Sequence, residues 1–587
     1  MVHQRDFRQA PLIDPWADLG PKRRKMLEDS WAGLFRQEIL PVLPVVELAQ
    51  QFRMNFGRPA KELHTVLGVL LLQQMHDLTD LETVQHLAFN QQWHYALDVP
   101  SESDASKYMC PKTLWSRRKE VTDLGLDTVL FQQVTHKLAQ VFEVDSSKQR
   151  LDSVHLKSNM RRLGRLRILT TCIHRFLVNL KRHHCELHTG LEPELVGRYS
   201  TKKALNCFSQ VKPSDSAKTL ASVAQDCFAL LQRFEAHPQV SAMLSYRLLQ
   251  RAFDDHCEVK KSGEDAPTEV EVVVKPAKEV SGQSLQNPSD PDAGYSGHKG
   301  QGYQAQVMET YCEAEDPQVK DQTLNLITHV AVGPASESDR GALLPALEDA
   351  RSRDLGPQEV LADSAYGSDD NFQEAAALEP PVEVVAPLPG LPPTAPFSLA
   401  DFQISPDGRV LGCPEGEAPR FCECRKDRYR VGFSSTKCNA CPQAARCPVK
   451  PRKNYHYLGY YQKAGRVAAR RAYQQTEEFR DRYCWRAGIE GTMSEFDRRT
   501  GVKRLRVRCL KAVRFCVTLK AVGLNLFRAA AVRRARNLAG NTVPASPSRL
   551  SWLFSHFKEQ IIKVRAAIGD FLIPDAYFGP DELKIAV

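Results

Sequence analysis

Tyr483-Cys-Trp-Arg-Ala-Gly-Ile-Glu490-Gly-Thr-Met-Ser-Glu-Phe-Asp-Arg498-Arg499 is the stretch on which the reading of this chain turns. It reads as a helix, weakened by Gly488 and Gly491, that runs into a long basic segment. Tyr483, Arg486 and Glu490 stand three and four residues apart, so a helix stacks them on one face. A carboxylate beside an arginine and an aromatic, followed by phosphate-seeking side chains, points to a place where a metal ion meets nucleic acid. Two upstream acids fit the same idea. Asp152 lies in Leu151-Asp-Ser-Val-His-Leu156, and Asp363 closes the run that starts at Glu359. Each is in or at the end of a short apolar run that reads as a buried strand. Two strand-borne aspartates and one helix-borne glutamate outline a metal-dependent centre for cleaving phosphodiesters.

Each acid also has an ordinary reading. Asp152 suits a strand-end cap or an ion pair, with Ser153, His155 and Lys157 as partners. Asp363 before Ser-Ala-Tyr-Gly367 suits a turn. Glu490 suits an i, i+4 pair with Arg486. Glu495 and Asp497 are rivals on the same stretch, but Glu495 lies roughly 140° round a helix from Glu490 and cannot easily face the same ion. The conjunction of the three acids with the basic run favours the metal centre. Trp485 and Phe496 read as core.

The 587 residues are 42% hydrophobic and 25% charged, which is ordinary globular composition with room for several domains. The net charge of +9 matters less than its placement. Between Arg498 and Lys558 no Asp or Glu occurs, while Arg498, Arg499, Lys503, Arg504, Arg506, Arg508, Lys511 and Arg514 crowd the start. A run so one-sided repels itself unless an anion lies against it, and nucleic acid is the expected partner. No run of about 18 apolar residues is apparent, so no membrane span is expected. The N-terminus lacks a signal-peptide core, so a cytoplasmic, nucleoid-associated protein with reduced cysteines is expected.

In chain order, residues 1–35 form a polar arm and 36–145 a helical domain. Its helices are expected over Leu63–Met75 (Leu63, Val66, Leu67, Leu70 and Leu71 on one side), Leu78–Phe89 and Lys112–Thr122. Short helices with basic flanks suit a helix-turn-helix that grips DNA, and equally a subdomain that only packs. Residues 146–396 alternate strands and helices around a helical insertion at 160–260, with 261–293 as a linker or long loop. Strands are expected over 151–156, 302–311, 324–332, 359–363 and 382–386, with helices at 340–353 and 369–378. That order gives an α/β mixed sheet whose first and fourth strands are free to lie together. Residues 397–455 are Cys-rich. There Cys438-x2-Cys441-x5-Cys447, with Cys413 upstream, has the composition of a four-thiolate structural Zn²⁺ site, the alternative being free thiols. Residues 456–536 supply C-terminal core helices with Glu490 and the basic segment. The tail, 537–587, carries Trp552, Phe554 and Phe557 and is read as a dimerisation element.

With these positions in view, the chain resembles the DDE transposases of bacterial insertion sequences. It is most similar to the branch with a helical N-terminal domain, a Cys-rich insert and a Tyr-Arg-Glu signature. The likeness is carried by Asp152-Ser-Val-His-Leu-Lys-Ser-Asn159, Lys299 with Gly302 and Tyr303, Asp363-Ser-Ala-Tyr-Gly367, and the Cys-rich insert before Glu490. It covers most of residues 35–530. It implies an RNase H-like catalytic core, with Asp152, Asp363 and Glu490 as catalytic ligands of Mg²⁺ or Mn²⁺. Tyr483 and Arg486 would hold phosphate near the scissile bond, and Arg498, Arg499, Lys503, Arg504, Arg506 and Arg508 would track DNA backbone. The implied substrates are double-stranded terminal inverted repeats and target DNA, bound by a homodimer or higher oligomer. The signature's last basic residue, expected seven beyond Glu490, is replaced by Asp497, and the base arrives one later as Arg498. The alternatives are a catalytically inactive relative that only binds DNA and a zinc-stabilised nucleoprotein scaffold.

Overall fold

The computed structural model describes residues 5–7, 14–52, 60–200, 211–261, 270–390 and 397–539; the tail read as a dimerisation element lies outside these residues. Thirteen strands occur among them. They are β1 Lys148–Lys157, β2 Cys257–Lys261, β3 Val270–Val274, β4 Gly294–Ser296, β5 Gly300–Thr310, β6 Ile327–Pro334 and β7 Glu359–Ala362, followed by β8 Glu383–Val385, β9 Gln403–Ile404, β10 Val410–Gly412, β11 Phe421–Arg425, β12 Arg428–Ser434 and β13 Tyr455–Tyr461.

Six of them build a central mixed sheet in the order β4-β5-β1-β7-β8, with β6 also on β5. β1 is antiparallel to β5 and parallel to β7. This α/β arrangement of parallel and antiparallel strands with helices on both faces is compatible with an RNase H-like core. The strand alternation decides the faces. Val154 and Leu156 of β1 join Ala305 and Val307 of β5 against Ile489, Met493 and Phe496. Leu151, Met308, Val360 and Ala362 point the other way, onto Leu343, Leu347 and Phe372.

The first face is shared with the N-terminal helices. All thirteen residues of the Leu63–Met75 helix are buried, not just one side as the pattern suggests. The reason is the Leu510–Leu538 helix, which crosses it closely enough that a Cβ on Gly523 would stand 2.8 Å from the Met75 Cα. This 29-residue helix is long and apolar enough to cross a membrane, a feature the apolar-run count missed, but 83% of its most apolar window is buried inside the fold. Lys520 on it is also buried and donates to Asp77 Oδ1 at 2.7 Å. His76 packs between Trp31, Trp93 and Phe527, and burial pushes its pKa down to about 4.

The stretch expected as a linker or long loop, 261–293, holds a strand as well as a loop. It contributes β3, paired with β2, and then a pinned loop. In that loop Asp290 is buried and accepts from Cys509 N at 2.8 Å, while Asp292 accepts from Leu510 N at 2.8 Å, anchoring the start of the long helix. The insertion's own helices, Arg165–His183, Ser216–Glu235 and Leu244–His256, enclose a separate apolar cluster.

Candidate active site

The register sets the two aspartates side by side. Leu151 is the parallel partner of Ala362, so Asp152 and Asp363 each stand one residue further along adjacent strands. Asp152 accepts from Ser153 N at 2.7 Å through Oδ1 and from Arg486 Nη2 at 2.8 Å through Oδ2. Burial raises its pKa and the nearby Asp363 charge adds to this, against the pull of Arg486 and Lys299. Asp363 accepts from Ala365 N at 2.8 Å, so the turn reading and the proximity to Asp152 hold together.

Glu490 comes from the other side of the cleft. The expected continuous helix over Tyr483–Arg499 is instead three pieces: Glu477–Tyr483, a tighter 3-10 turn Cys484–Ala487, and Gly488–Thr500. The break sits where Arg150 of β1 needs room. Its guanidinium passes so close to Gly488 that an added Cβ would meet Nη1 at 2.0 Å. Arg486 then bridges the acids, with Nη1 at 3.3 Å from Glu490 Oε1 while Nη2 holds Asp152. Glu490 remains exposed, and Tyr483 stacks on Phe479 with ring centroids 5.2 Å apart. Among the described residues, no three His, Cys, Asp or Glu side chains stand in a metal-holding group. A guanidinium is the cation between Asp152 and Glu490. The donor set itself, carboxylate oxygens at a cleft, is of the hard type that suits Mg²⁺.

Sequence reading missed the support beneath this site. Glu309 of β5 is fully buried between two arginines. Arg150 Nε donates to its Oε1 at 2.8 Å, Arg528 Nη1 to its Oε2 at 2.8 Å, and Thr492 Oγ1 lies within 2.9 Å of both oxygens. Burial alone would raise the Glu309 carboxyl; Arg528 and Arg150 outweigh it and hold the pKa below the ordinary value. Arg150 Nη1 also donates to Trp485 O at 2.9 Å, so the network fixes the 3-10 turn that carries Arg486. The one available signal was Glu309 itself, an acid ending an otherwise uncharged strand. Behind the aspartates, Ser153 Oγ lies 3.3 Å from Lys299 Nζ and 3.2 Å from Asp339 Oδ2.

The basic segment divides in two. Arg499 pairs with Glu495 at 2.8 Å, Arg506 forks onto the Asp77 carboxylate at 3.0 and 3.1 Å, and Lys511 pairs with Asp123. Arg498, Arg504 and Arg508 are exposed, and Lys503 is half-buried. Asp497, standing where the signature has a base, accepts from Lys503 N at 3.0 Å and closes the turn after the helix.

In the Cys-rich part, Cys413, Cys438, Cys441 and Cys447 line one cavity of about 270 Å³. Burial raises the Cys438 thiol, and the neighbouring Cys447, Cys413 and Cys441 add to it.

Residues 412–530 match a family model described as a transposase DDE domain. That segment contains Glu490 and the Cys-rich part but neither Asp152 nor Asp363. No curated protein and no solved structure matches the chain.

Proposed function

We propose that this chain, whose residues 412–530 match the transposase DDE domain model, is a DDE transposase that binds the terminal inverted repeats of an insertion sequence, cleaves there and joins the ends to target DNA. The observation that carries this reading is the meeting of Asp152 on β1 with Asp363 at the end of the adjacent parallel β7, and of Glu490 with Asp152 through Arg486. Asp152, Asp363 and Glu490 are the residues that would hold Mg²⁺ or Mn²⁺, which when bound would activate the attacking oxygen and stabilise the leaving one. Arg486 keeps the two carboxylates together in the free protein and is placed to turn toward a DNA phosphate. Lys299 stands next to Ser153, where a phosphate approaching Asp152 would meet a positive charge. Exposed Arg498, Arg504 and Arg508 extend that positive path.

Cleavage of DNA carrying the element's ends, with Mg²⁺ present, tests the reading. Asp152→Ala, Asp363→Ala and Glu490→Ala are each expected to lower cleavage on the order of a hundred-fold or more while binding is kept. Tight binding without cleavage by the wild type would instead indicate the inactive DNA-binder, and cleavage surviving in the Glu490 variant would move the third acid to Glu495.

A structural Zn²⁺ on Cys413, Cys438, Cys441 and Cys447 remains a proposal from their spacing: the four line one cavity but do not stand in a metal-holding group among the described residues. Elemental analysis of purified protein is expected to give one zinc per chain, reduced by Cys438→Ser. A metal-free wild type of full stability would remove the ion from this account.

A further inference from the structure

β11, β12 and β13 form an antiparallel sheet whose two faces differ sharply in chemistry. Tyr429, Val431, Phe433, Leu458 and Tyr460 point inward to a small apolar core. On the opposite face the register lines up Glu423 with Arg430, Arg425 with Arg428, Arg428 with Tyr461 and Gly432 with Tyr457. Among the described residues no other layer covers that face, and Glu423, Arg425, Arg428, Arg430, Tyr455 and Tyr461 on it are exposed. Tyr461 is 63% exposed and Tyr455 39%, large values for aromatic side chains on a folded surface.

The arrangement alternates cations with rings. The Arg428 guanidinium stands 5.6 Å from the Tyr461 ring centroid, and that of Arg430 stands 4.4 Å from Tyr457. Phe421 lies against Tyr455 and Tyr457 at 5.6 and 5.9 Å. Two glycines make room for neighbouring side chains on the face. At Gly432 a Cβ would strike the Phe421 ring at 2.4 Å, and at Gly459, between Tyr457 and Tyr461, a Cβ would stand 3.6 Å from Arg428 Nη2. Residues 420–461 contain ten Lys and Arg but only two acids, Glu423 and Asp427, so the charge selects a polyanion. An aromatic row on a flat sheet with flanking arginines matches what an unpaired base and its phosphate require.

The sheet is also joined to the catalytic cleft. Tyr461 leads directly into the Gln462–Tyr473 helix, where Lys463 pairs with Asp370 at 2.7 Å and Arg466 with Asp369 at 2.7 Å. Those two aspartates open the helix that follows the Asp363 turn. A strand held on the sheet is thereby linked, through the Gln462–Tyr473 helix and its two ion pairs, to the helix that follows Asp363.

We propose that the outer face of β11–β13 is a second DNA site, on which Tyr455, Tyr457 and Tyr461 stack unpaired bases of a single strand while Arg428 and Arg430 neutralise its phosphates. This rests on the transposase reading only for the origin of the single strand; the binding chemistry is independent of it.

The test uses the full chain and fluorescently labelled oligothymidylate, with a blunt duplex of equal length for comparison. Tyr455→Ala combined with Tyr461→Ala is expected to weaken the single strand at least tenfold and the duplex less than twofold. Tyr461→Trp is expected to restore or exceed the wild-type affinity. Arg428→Gln with Arg430→Gln is expected to flatten the salt dependence of single-strand binding. Unchanged single-strand affinity in the tyrosine variant, or equal losses for both DNAs, overturns the proposal. The cleavage assay on the same proteins separates the two readings. A wild type that cleaves although its single-strand affinity ignores these tyrosines overturns the platform alone. One that never cleaves but loses single-strand affinity in the variant supports the platform and overturns the transposase reading.

Discussion

At the scale of single residues, the decisive contact is a missing side chain. Gly488 reads in sequence as a defect in a helix, yet its bare Cα is what lets Arg150 reach both Glu309 and the carbonyl of Trp485. Gly488→Ala is expected to displace Arg150 and shift the turn bearing Arg486, lowering cleavage on the order of a hundred-fold with little change in the DNA bound. Glu309→Leu leaves the buried Arg150 guanidinium without its carboxylate and Arg528 with Glu495 alone, and is expected to cost about 3–5 kcal/mol in urea unfolding. Beyond the lone acid in an uncharged strand, none of this was legible beforehand. The spacing of Tyr483, Arg486 and Glu490 is local and survives in a string of letters, whereas Arg150 and Glu309 are 159 positions apart and meet only through strand register. Asp497 shows the same limit: its departure from the signature was visible, but its bond to Lys503 N needed the turn.

At the scale of elements, periodicity located β1, β5, β6, β7 and β8 of the central sheet, while β4 and the short strands outside that sheet went unread. It failed where the chain is buried on every side or broken on purpose. The Leu63–Met75 helix belongs to the first kind and the Cys484–Ala487 turn to the second. The basic segment was visible as a charge run, but composition does not reveal which cations are already engaged. Arg504→Gln, from the exposed set, is expected to weaken DNA binding and reduce the slope of log affinity against log salt by about one. Arg506→Gln removes the fork onto Asp77 and is expected to lower the melting temperature, with a salt slope close to that of the wild type.

At the scale of the whole molecule, a single apolar cluster runs from Trp16 through the N-terminal helices and the sheet to Val532. His76 sits within it with its pKa held at about 4, below the ordinary 6.5, so the unfolded chain binds the extra proton more readily. The resulting stability is complete above pH 6.5 and is lost as the pH falls toward 4. His76→Phe is expected to flatten that part of the stability profile, as followed by denaturant midpoints across the range. The shared cluster also bears on how the protein is made. The Leu63–Met75 helix is roofed by residues 510–538, which are made long after it, so its oily surface stays uncovered until that distant helix has been synthesised. A polypeptide released before residue 510 would keep that surface bare, and its fate in the cell is expected to be capture by chaperones or aggregation rather than a soluble fragment.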